Sequence, residues 1–398
     1  MPDFSAIRSW LQQESPNLEQ QLIRWCDLNT HSFNLEGLSA FLDMFSADIQ
    51  DLGAAIERHP LPDFQSISLQ GHDEKQALGP VLCAKKRPNA PKQVLLCIHS
   101  DTVYLPSDPF QRCQRLDEHT LRGPGVADAK GGLMVLVSGL RAFEKFCDSQ
   151  HVGWTLLLVP DEEVGSLGSA SFTQSLAKQA DIGLVFEPAY PNGALVSSRP
   201  GSLVLRLSAR GKAAHAGRDF DNGINAITAL SRLITTIDQQ SQRFDGNINI
   251  GVIQGGTAVN QIPASAVCEI NIRSLDPKVL ENTPPLLQEI IDSMQKDCPA
   301  YLQLHPYCHR PPKLFDAATH AAYQVLQDCA KDMSLPLDWQ PSFGVSDANF
   351  MAAAGLVTID TLGPVGGNLH SDQEYVQLPS LCERAELLCR FLQHFSLD

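Results

Sequence analysis

Two kinds of hydrophobic pattern alternate along the first half of the chain. Apolar residues three and four positions apart predict helices at "NLEQQLIRWCDL" and "NLEGLSAFLDMFSADIQDLG", each opening on an asparagine suited to a helix cap. A continuous apolar run in "KQVLLCIHS" predicts a strand buried on both faces of a largely parallel sheet. Further strands are predicted at "FQSISLQ", "GPVLCAKKR", "WTLLLV" and "ADIGLVFEP", and further helices at "KGGLMVLVSGLRAFEKF" and "SLGSASFTQSLAKQ". This alternation predicts an α/β architecture.

The pattern changes after about residue 195. "SLVLRLSARG" alternates apolar and polar residues, as a half-exposed strand does, and "NGINAITALSRLITTIDQQ" predicts an amphipathic helix. The strands "NINIGVIQGG" and "SAVCEINIRS", the helix "PPLLQEIIDSMQKD" and the strand "YLQLHPY" complete the order βαββαβ, which predicts a small ferredoxin-like α+β domain. Helix–strand alternation returns from about residue 310. We therefore expect an α/β domain of residues 1–195 and 310–398, interrupted by an α+β domain of residues 196–309.

Composition and charge exclude several classes of protein. The chain has 398 residues, 43% hydrophobic and 19% charged, so two globular domains are expected. A net charge of −15 argues against a nucleic-acid partner. The sequence has neither an apolar run long enough for a membrane helix nor the pattern of a secretion signal, so we expect a cytoplasmic protein. The 11 cysteines lack a Cys-x-x-Cys pair, which argues against a disulfide framework and a thiolate zinc site.

Three consecutive acids follow the apolar run "WTLLLV". Asp161, Glu162 and Glu163 stand in "PDEEVGSLGS", where the strand should end at the edge of a hydrophobic core. Mutual repulsion and loss of hydration both oppose three carboxylates at such a place. A nearby cation, or a reaction that uses the charges, would account for them.

His99 ends the strand "KQVLLCIHS", and Asp101 follows two residues later. Side chains alternate along a strand, so both should point the same way, and Asp101 can hold the second ring nitrogen of a metal-bound His99. A glycine-rich loop, "GPGVADAKGGL", fits neither common phosphate-binding motif and carries an acid, Asp128, which favours a cation over an anion. Taken singly, each acid could equally be a turn residue at a strand end.

The candidates share one predicted edge of the sheet. His99, Glu163 and Glu187 follow apolar strands, Asp128 lies in a loop between two of them, and His370 lies in the glycine-rich "GPVGGNLHSDQEYV". Carboxyl ends of parallel strands are where open α/β sheets place their sites. Two imidazoles and three carboxylates suit zinc, and five ligands suit two zinc ions that share a carboxylate and a water.

Six motifs resemble those of a known family in order and spacing: "HSDTV", "GPGVADAKGG", "PDEEVGSLGS", "FEP", "GKAAHAG" and "GPVGGNLHSDQEYV". The chain resembles the zinc-dependent carboxypeptidases, deacylases and dipeptidases of metallopeptidase family 20, and most of all its glutamate carboxypeptidase branch. The resemblance implies a di-zinc, α/β/α catalytic domain with a mostly parallel central sheet, interrupted by a ferredoxin-like dimerisation and lid domain.

The resemblance also implies roles for the candidates. His99, Asp128 and Glu187 would hold one zinc, and Asp128, Glu163 and His370 the other, with Asp128 as the bridge. Glu162 would be the general acid/base, and Asp101 would orient His99. Asp161 receives no role from the resemblance, and we expect it to be structural. The family usually has a cis peptide after the bridging aspartate, here Asp128–Ala129. Cobalt or manganese could occupy the same ligands.

Three residues of the inserted domain match as well. His215, in "ARGKAAHAG", resembles a histidine that reaches across a homodimer to the partner's active site. Asn260, in "GGTAVNQIP", and Arg273, in "INIRS", resemble residues that bind the substrate carboxylate or the oxyanion. From the residues alone, His215 could be a surface turn residue and Arg273 an exposed strand residue.

The resemblance implies hydrolysis of an amide bond by a zinc-activated water, with Glu162 moving the proton. The expected substrate is a small peptide or an N-acyl amino acid, and the expected reaction releases a C-terminal, glutamate-like amino acid. An N-acyl-amino-acid deacylase or a dipeptidase is the nearest alternative. A non-catalytic binding protein on the same fold is the alternative from another class.

Overall fold

The computed structural model describes residues 2–397 and divides the chain into two compact units. The larger unit comprises the N-terminal segment up to Pro62, Ala77–Arg199 and the chain from Lys313 onward. The smaller unit comprises Asp63–Gln76 and Pro200–Pro312. The sequence pattern placed the inserted domain at residues 196–309, and it gave no sign that residues 63–76 group with it.

A six-stranded sheet forms the centre of the larger unit. Its strands lie in the spatial order Ala55–His59, Val81–Lys86, Val152–Val159, Lys92–His99, Ile182–Val185 and Thr358–Ile359. The last four are parallel neighbours, and the first two are joined by antiparallel pairing at one edge. The mostly parallel sheet expected from the apolar runs is confirmed.

Alternate residues of these strands contribute to two separate apolar cores, because side chains alternate between the faces of a sheet. In the strand Lys92–His99, Leu96 and Ile98 belong to one core, and Leu95 and Cys97 to the other. The helices whose residues complete the first core are Phe4–Cys26, Leu35–Asp48, Lys130–Phe146, Ala317–Lys331 and Leu378–Leu397. Ala170–Ala177 and Ala348–Ala353 complete the second. The larger unit is therefore a three-layer α/β/α structure.

The helix Lys130–Phe146 has the bounds that its sequence pattern predicts, and it lies unusually close to the sheet. A β-carbon built at Gly132 would lie 1.9 Å from the carbonyl oxygen of Phe186, a distance that excludes any side chain. This close approach places the start of the helix, and the loop before it, beside the end of the strand Ile182–Val185.

Several boundaries differ from the sequence prediction. The first helix begins at Phe4, capped by Asp3, and Asn17 lies inside it instead of capping it. Pro16 is tolerated there because it is exposed, so water can reach the carbonyl that Pro16 cannot bind. Asn34 does cap the second helix, through Gly37 N–H. The strand Ala55–His59 was not predicted, since its residues are mostly exposed.

Short elements complete the larger unit. Gly366–Gly367, Tyr375–Gln377, Thr120–Arg122 and Gln114–Arg115 form a small antiparallel sheet. Leu195–Val196 pairs with Trp339–Gln340, and a 3₁₀ turn spans Gln50–Leu52.

The smaller unit has the βαββαβ order that its sequence pattern predicts. Its antiparallel sheet has the spatial order Asn247–Gly255, Ser265–Ser274, Gly201–Arg210 and Tyr301–Arg310. The helices Ala226–Gln239 and Pro277–Gln295 share one apolar core with it. The second helix begins earlier than predicted, at Pro277 after the cap Asp276, and continues through Pro284. The other elements are the pair Phe64–Ile67 and Asp73–Gln76, the pair Ala214–His215 and Gln261–Ile262, and 3₁₀ turns at Phe220–Asn222 and Ser241–Arg243.

Hydropathy along the helices bears on membrane insertion. Across residues 2–397, every helix is either too short or too polar to cross a lipid bilayer.

Candidate metal centre

Three candidate ligands follow three adjacent parallel strands. His99 is the last residue of its strand, Glu163 follows Val152–Val159, and Glu187 follows Ile182–Val185. Because these strands are parallel neighbours, their carboxyl ends meet at one edge of the sheet. The apolar runs that bury the strands therefore bring polar residues distant in sequence to one place.

Asp128 lies between two histidines. Its Oδ1 is 3.0 Å from Nε2 of His99, and its Oδ2 is 3.2 Å from Nε2 of His370. The residue stands in the turn before the helix Lys130–Phe146, and the peptide bond Asp128–Ala129 is cis, as the resemblance implies. Each carboxylate oxygen thus faces a different imidazole, which is the arrangement that a bridging ligand requires.

The remaining distances place Glu187 beside His99 and Glu163 beside His370. Nε2 of His99 lies 3.8 Å from Oε1 of Glu187, and Nε2 of His370 lies 3.2 Å from Oε2 of Glu163. Ligand atoms of His99, Asp128 and Glu163 all lie within 4.8 Å of one another. Ligands bound tetrahedrally to zinc at ~2.0–2.1 Å stand about 3.3 Å apart. The donor set and its spacing therefore fit zinc.

Burial makes this cluster costly without a cation. Loss of hydration and the charge of Asp128 raise the pKa of Glu163 to about 8. Burial also raises the pKa of Glu187 well above its usual range. Hydrogen bonds to Asp128 and Glu163 raise the pKa of His370 to about 11. For His99, burial opposes the charged form, but Glu187, Asp101 and Asp128 outweigh it and raise the pKa. Bound metal would supply the positive charge that protons otherwise provide.

Asp101 connects His99 to the acidic loop. Its main-chain oxygen lies 3.0 Å and its Oδ1 3.3 Å from Nδ1 of His99. The same carboxylate accepts N–H bonds from Glu162 (3.2 Å) and Glu163 (3.1 Å), and the hydroxyl bond of Ser32 (2.7 Å). With its Nδ1–H bound at Asp101, His99 presents Nε2 to the carboxylates, as a metal ligand must.

The three consecutive acids have different surroundings. Asp161 is fully buried and accepts bonds from the Ser169 hydroxyl (2.5 Å) and the N–H of Gly168 (2.7 Å). The chain then turns at Glu162–Gly165. Glu163 faces His370, and the charge of Glu162 raises the pKa of both Glu163 and Glu187, which places it beside the cluster.

Sequence reasoning missed Glu374. This carboxylate is fully buried and accepts N–H bonds from Ala127 (2.9 Å), Asp128 (3.0 Å) and Gly125 (3.2 Å). Tyr104 donates its hydroxyl to the same carboxylate at 2.6 Å. The residue lies four positions after His370 in "HSDQEYV", and an acid in a motif that already carries a candidate ligand is the one sequence signal that pointed to it.

A cavity of about 380 Å³ adjoins the ligands within the larger unit. Asp128, Glu187 and His370 form part of its wall, and Tyr190, Val345 and Leu369 give it apolar surface. Arg199 also lines it, with Nε and Nη2 bound to the buried carboxylate of Asp360 at 2.7 and 3.2 Å. A small substrate therefore has space next to the donor atoms.

The three predicted residues of the smaller unit do not meet at one point. The strand pair Ala214–His215 and Gln261–Ile262 brings His215 next to Asn260, whose carbonyl accepts the N–H of Ala216 at 3.0 Å. Nδ1 of His215 accepts two backbone N–H bonds, so in the neutral ring the proton is on Nε2. Arg273 pairs with Ser202 near the end of the strand Ser265–Ser274, at the end farther along the chain from Asn260.

Two imidazoles and three carboxylates gathered at the carboxyl edge of a parallel sheet, beside a cavity, are the donor set of a metal-dependent hydrolase. Residues 95–394 match the sequence profile of Peptidase family M20/M25/M40, and the chain belongs to this family. Its enzymes depend on metal ions, typically zinc, and the chain is a zinc-dependent hydrolase of the metallopeptidase and amidohydrolase type. The family expected from the motifs is thereby confirmed.

Relatives of known name span almost the whole chain. Carboxypeptidase G2 of Pseudomonas sp. strain RS-16 is 27% identical over 387 residues, which covers 95% of this chain and 89% of the relative. Acetylornithine deacetylase of Photorhabdus laumondii is 23% identical over 380 residues, covering 90% and 91%. A dipeptidase structure from Saccharomyces cerevisiae, 14% identical, superposes with a TM-score of 0.76 and covers 100% and 99% of the two chains. The last likeness concerns the fold alone.

Proposed function

We propose that the protein is a two-zinc carboxypeptidase that releases a C-terminal, glutamate-like amino acid from small peptides or acyl substrates. The observation that carries this proposal is the position of Asp128, whose two oxygens face the Nε2 atoms of two different histidines. His99, Asp128 and Glu187 would hold one ion, and Asp128, Glu163 and His370 the other. Cobalt and manganese are possible substitutes, because imidazole and carboxylate ligands accept them too.

Glu162 is proposed as the general acid/base. When bound, zinc supplies Lewis acidity, which activates a water molecule at neutral pH and polarises the amide carbonyl. Glu162 accepts a proton from that water and returns it to the leaving amine. The backbone N–H of Glu162 is held by Asp101, so the residue that orients His99 also places the acid/base.

Residues of the smaller unit are proposed to complete the site across a homodimer. His215 would present its Nε2–H to the oxyanion in the partner protomer, with Asn260 beside it. Arg273 would bind the substrate carboxylate. The strand Asn247–Gly255 is an edge of its sheet and exposes Ile253 (54%), so it offers a surface for pairing with a second copy.

The choice between two substrate classes rests on the relatives. The similarity to carboxypeptidase G2, at 27% identity over 95% of the chain, favours release of a C-terminal amino acid. The similarity to acetylornithine deacetylase favours removal of an acyl group from an amino acid. A panel of dipeptides, N-acyl glutamates and other N-acyl amino acids separates these activities. A preference for acyl groups on non-acidic amino acids would overturn the carboxypeptidase proposal.

The central experiment is Glu162→Gln. We expect this variant to keep the wild-type zinc content and to lose activity at least 100-fold, because removing a general acid/base costs about 10²–10⁴ in rate. Asp372→Asn, an exposed acid on the His370 loop, is the control and should keep its activity. Near wild-type hydrolysis by Glu162→Gln would overturn the assignment. Fewer than one zinc per wild-type chain would favour the non-catalytic alternative.

A cytoplasmic location is proposed on the state of the cysteines. Within residues 2–397 the eleven cysteines are thiols that form no disulfide bond, and five of them are partly exposed. Such thiols persist in a reducing compartment. Fractionation of cells that express the protein tests this location.

A further inference from the structure

Glu374 lies behind the proposed metal centre and holds the loop that carries Asp128. Its Oε1 accepts the N–H groups of Ala127 and Asp128, and its Oε2 accepts the N–H of Gly125. Its main-chain oxygen accepts the N–H of Gly123 at 3.1 Å. Residues 123–129 are buried, so these donors have no access to bulk water. One residue therefore satisfies four donors of this loop.

Tyr104 fixes the carboxylate from the other side, through its hydroxyl bond to Oε2 at 2.6 Å. Tyr104 lies five residues after His99, and Glu374 lies four residues after His370. The Glu374 carboxylate thus joins three segments of the chain, each of which carries a proposed ligand. A shift of one segment would be transmitted to the other two through these bonds.

From this geometry we infer that Glu374 is a positioning residue, which sets the direction of the Asp128 carboxylate toward both histidines. The inference rests on the proposed two-zinc function. A direct role as a ligand is excluded by hydrogen-bond capacity, because two carboxylate oxygens accept about four bonds and all four are used. The residue acts through the backbone of Asp128.

The chemistry explains why a carboxylate is needed. Four donors converge on two oxygens, and glutamine offers one oxygen and two further donors in the same shape. The side-chain NH₂ group of Glu374→Gln would face the N–H of Gly125 or of Asp128, so that two donors point at each other. Aspartate is one methylene shorter and cannot reach all four donors while the Gly123 bond holds the main chain of residue 374.

The test is the zinc affinity of Glu374→Gln, measured by competition with a chelator, together with the absorption spectrum of the Co²⁺-loaded protein. We expect zinc affinity to fall about 10–100-fold, as it does when groups that orient metal ligands are lost. The Co²⁺ spectrum should change, and kcat should fall with KM nearly unchanged. Tyr104→Phe removes one donor only and should cause a smaller loss of affinity in the same direction.

Glu386→Gln is the matched control. Glu386 is also a buried carboxylate, but it pairs with Arg8 and Arg390, away from the ligand loops. This variant should lower the melting temperature and keep the wild-type zinc affinity and Co²⁺ spectrum. If Glu374→Gln behaves like this control, Glu374 is merely structural and the inference is wrong.

Two further outcomes are decisive. If Glu374→Gln fails to fold, Tyr104→Phe decides, and wild-type zinc affinity in that variant would overturn the inference. If the wild-type protein binds no zinc, the proposed function fails and the inference fails with it. Wild-type zinc binding with unchanged affinity in both variants would refute the role of Glu374 alone.

Discussion

Nδ1 of His99 lies 3.3 Å from Oδ1 of Asp101 and 3.0 Å from the main-chain oxygen of the same residue. Asp101 also holds the N–H groups of Glu162 and Glu163. One carboxylate therefore orients an imidazole from one strand end and fixes the loop that follows the neighbouring strand. Substitutions of Asp101 should therefore affect both metal binding and the position of Glu162, the proposed acid/base.

The first prediction concerns Asp101→Asn. The amide keeps the shape but replaces one acceptor with donors that face N–H groups, so the Glu162–Glu163 loop and the His99 ring lose their fixed positions. We expect zinc affinity and kcat/KM each to fall about 10–100-fold. Zinc competition and steady-state kinetics measure this. Ser32→Ala, which removes only the hydroxyl bond to the same carboxylate, should cause a smaller loss.

Asp161→Asn should affect stability and not metal binding. Asp161 accepts bonds from Ser169 and Gly168 and touches none of the proposed ligands in these bonds. Opposing one buried donor with the amide should cost about 1–3 kcal/mol in the free energy of unfolding. Urea unfolding measures this cost. A loss of zinc affinity as large as that of Asp101→Asn would contradict the structural role.

Metal removal should destabilise the protein more at pH 8 than at pH 6. Without metal, Glu163 has a pKa raised to about 8, so its ionisation above the unfolded pKa of about 4.5 increasingly opposes folding as pH rises to 8. His370, with a pKa raised to about 11, contributes stability that is complete below about 6.5 and declines above it. Both effects lower metal-free stability with rising pH, whereas bound zinc replaces the protons. The difference in melting temperature with and without a chelator, recorded at both pH values, checks this. An equal difference at both would contradict the electrostatic account.

Lys313 should give the wild-type protein a stability gain at alkaline pH. Burial lowers its pKa to about 8, opposed by Asp360 and Asp316 and assisted by Arg199, while its Nζ–H donates to the carbonyl of Ser197. Because the pKa of Lys313 is lower in the folded than in the unfolded protein, the charged lysine lowers the free energy of unfolding below pH 8. This loss of stability disappears as pH rises from 8 toward 10.5.

Lys313→Met removes this titration. Between pH 7.5 and pH 9.5 the wild type should gain about 2 kcal/mol in unfolding free energy relative to the variant. Effects of the thiols cancel because both proteins contain them. Urea unfolding at the two pH values provides the comparison, and parallel pH profiles would refute the assigned cause.

The proposed dimer can be tested at the strand Asn247–Gly255. Ile253→Lys places a charge on the exposed edge and should convert a dimer to a monomer. Because His215 would then lack a partner site, activity should fall with zinc content unchanged. Sedimentation analysis reports the oligomeric state. Gln254→Lys, on the same strand, controls for added charge; a dimeric and fully active Ile253→Lys protein would contradict the proposal.

The fold was predictable where local pattern and burial agree. The apolar runs ending at His99 and Val159 identify buried strands, and the strand ends then group His99, Glu163 and Glu187 without any structure. The helix Lys130–Phe146 was predicted at both ends, because its apolar face is broad and a glycine-rich turn precedes it. Periodicity carries such information because each residue faces either the core or water.

Contacts between distant segments were not predictable in this way. Glu374 binds a loop almost 250 residues earlier in the sequence, and no local pattern records that distance. The strand Phe64–Ile67 groups with the smaller unit through contacts such as that of Phe64 with Tyr307, which depend on the folded sheet. Asp3, not Asn17, caps the first helix, because both residue types are good caps and the residues between them are themselves helical.

The chain leaves the larger unit after Arg199 and re-enters it at Lys313, and the backbones of these two residues are hydrogen-bonded to each other in both directions, at 2.9 and 3.0 Å. Because Arg199 and Lys313 are paired in this way, a tight hairpin turn is long enough to join them in place of residues 200–312. The hairpin of residues 63–76, which groups with the removed stretch, would need the same replacement. The five proposed zinc ligands all belong to the larger unit, so they would remain in such a shortened chain.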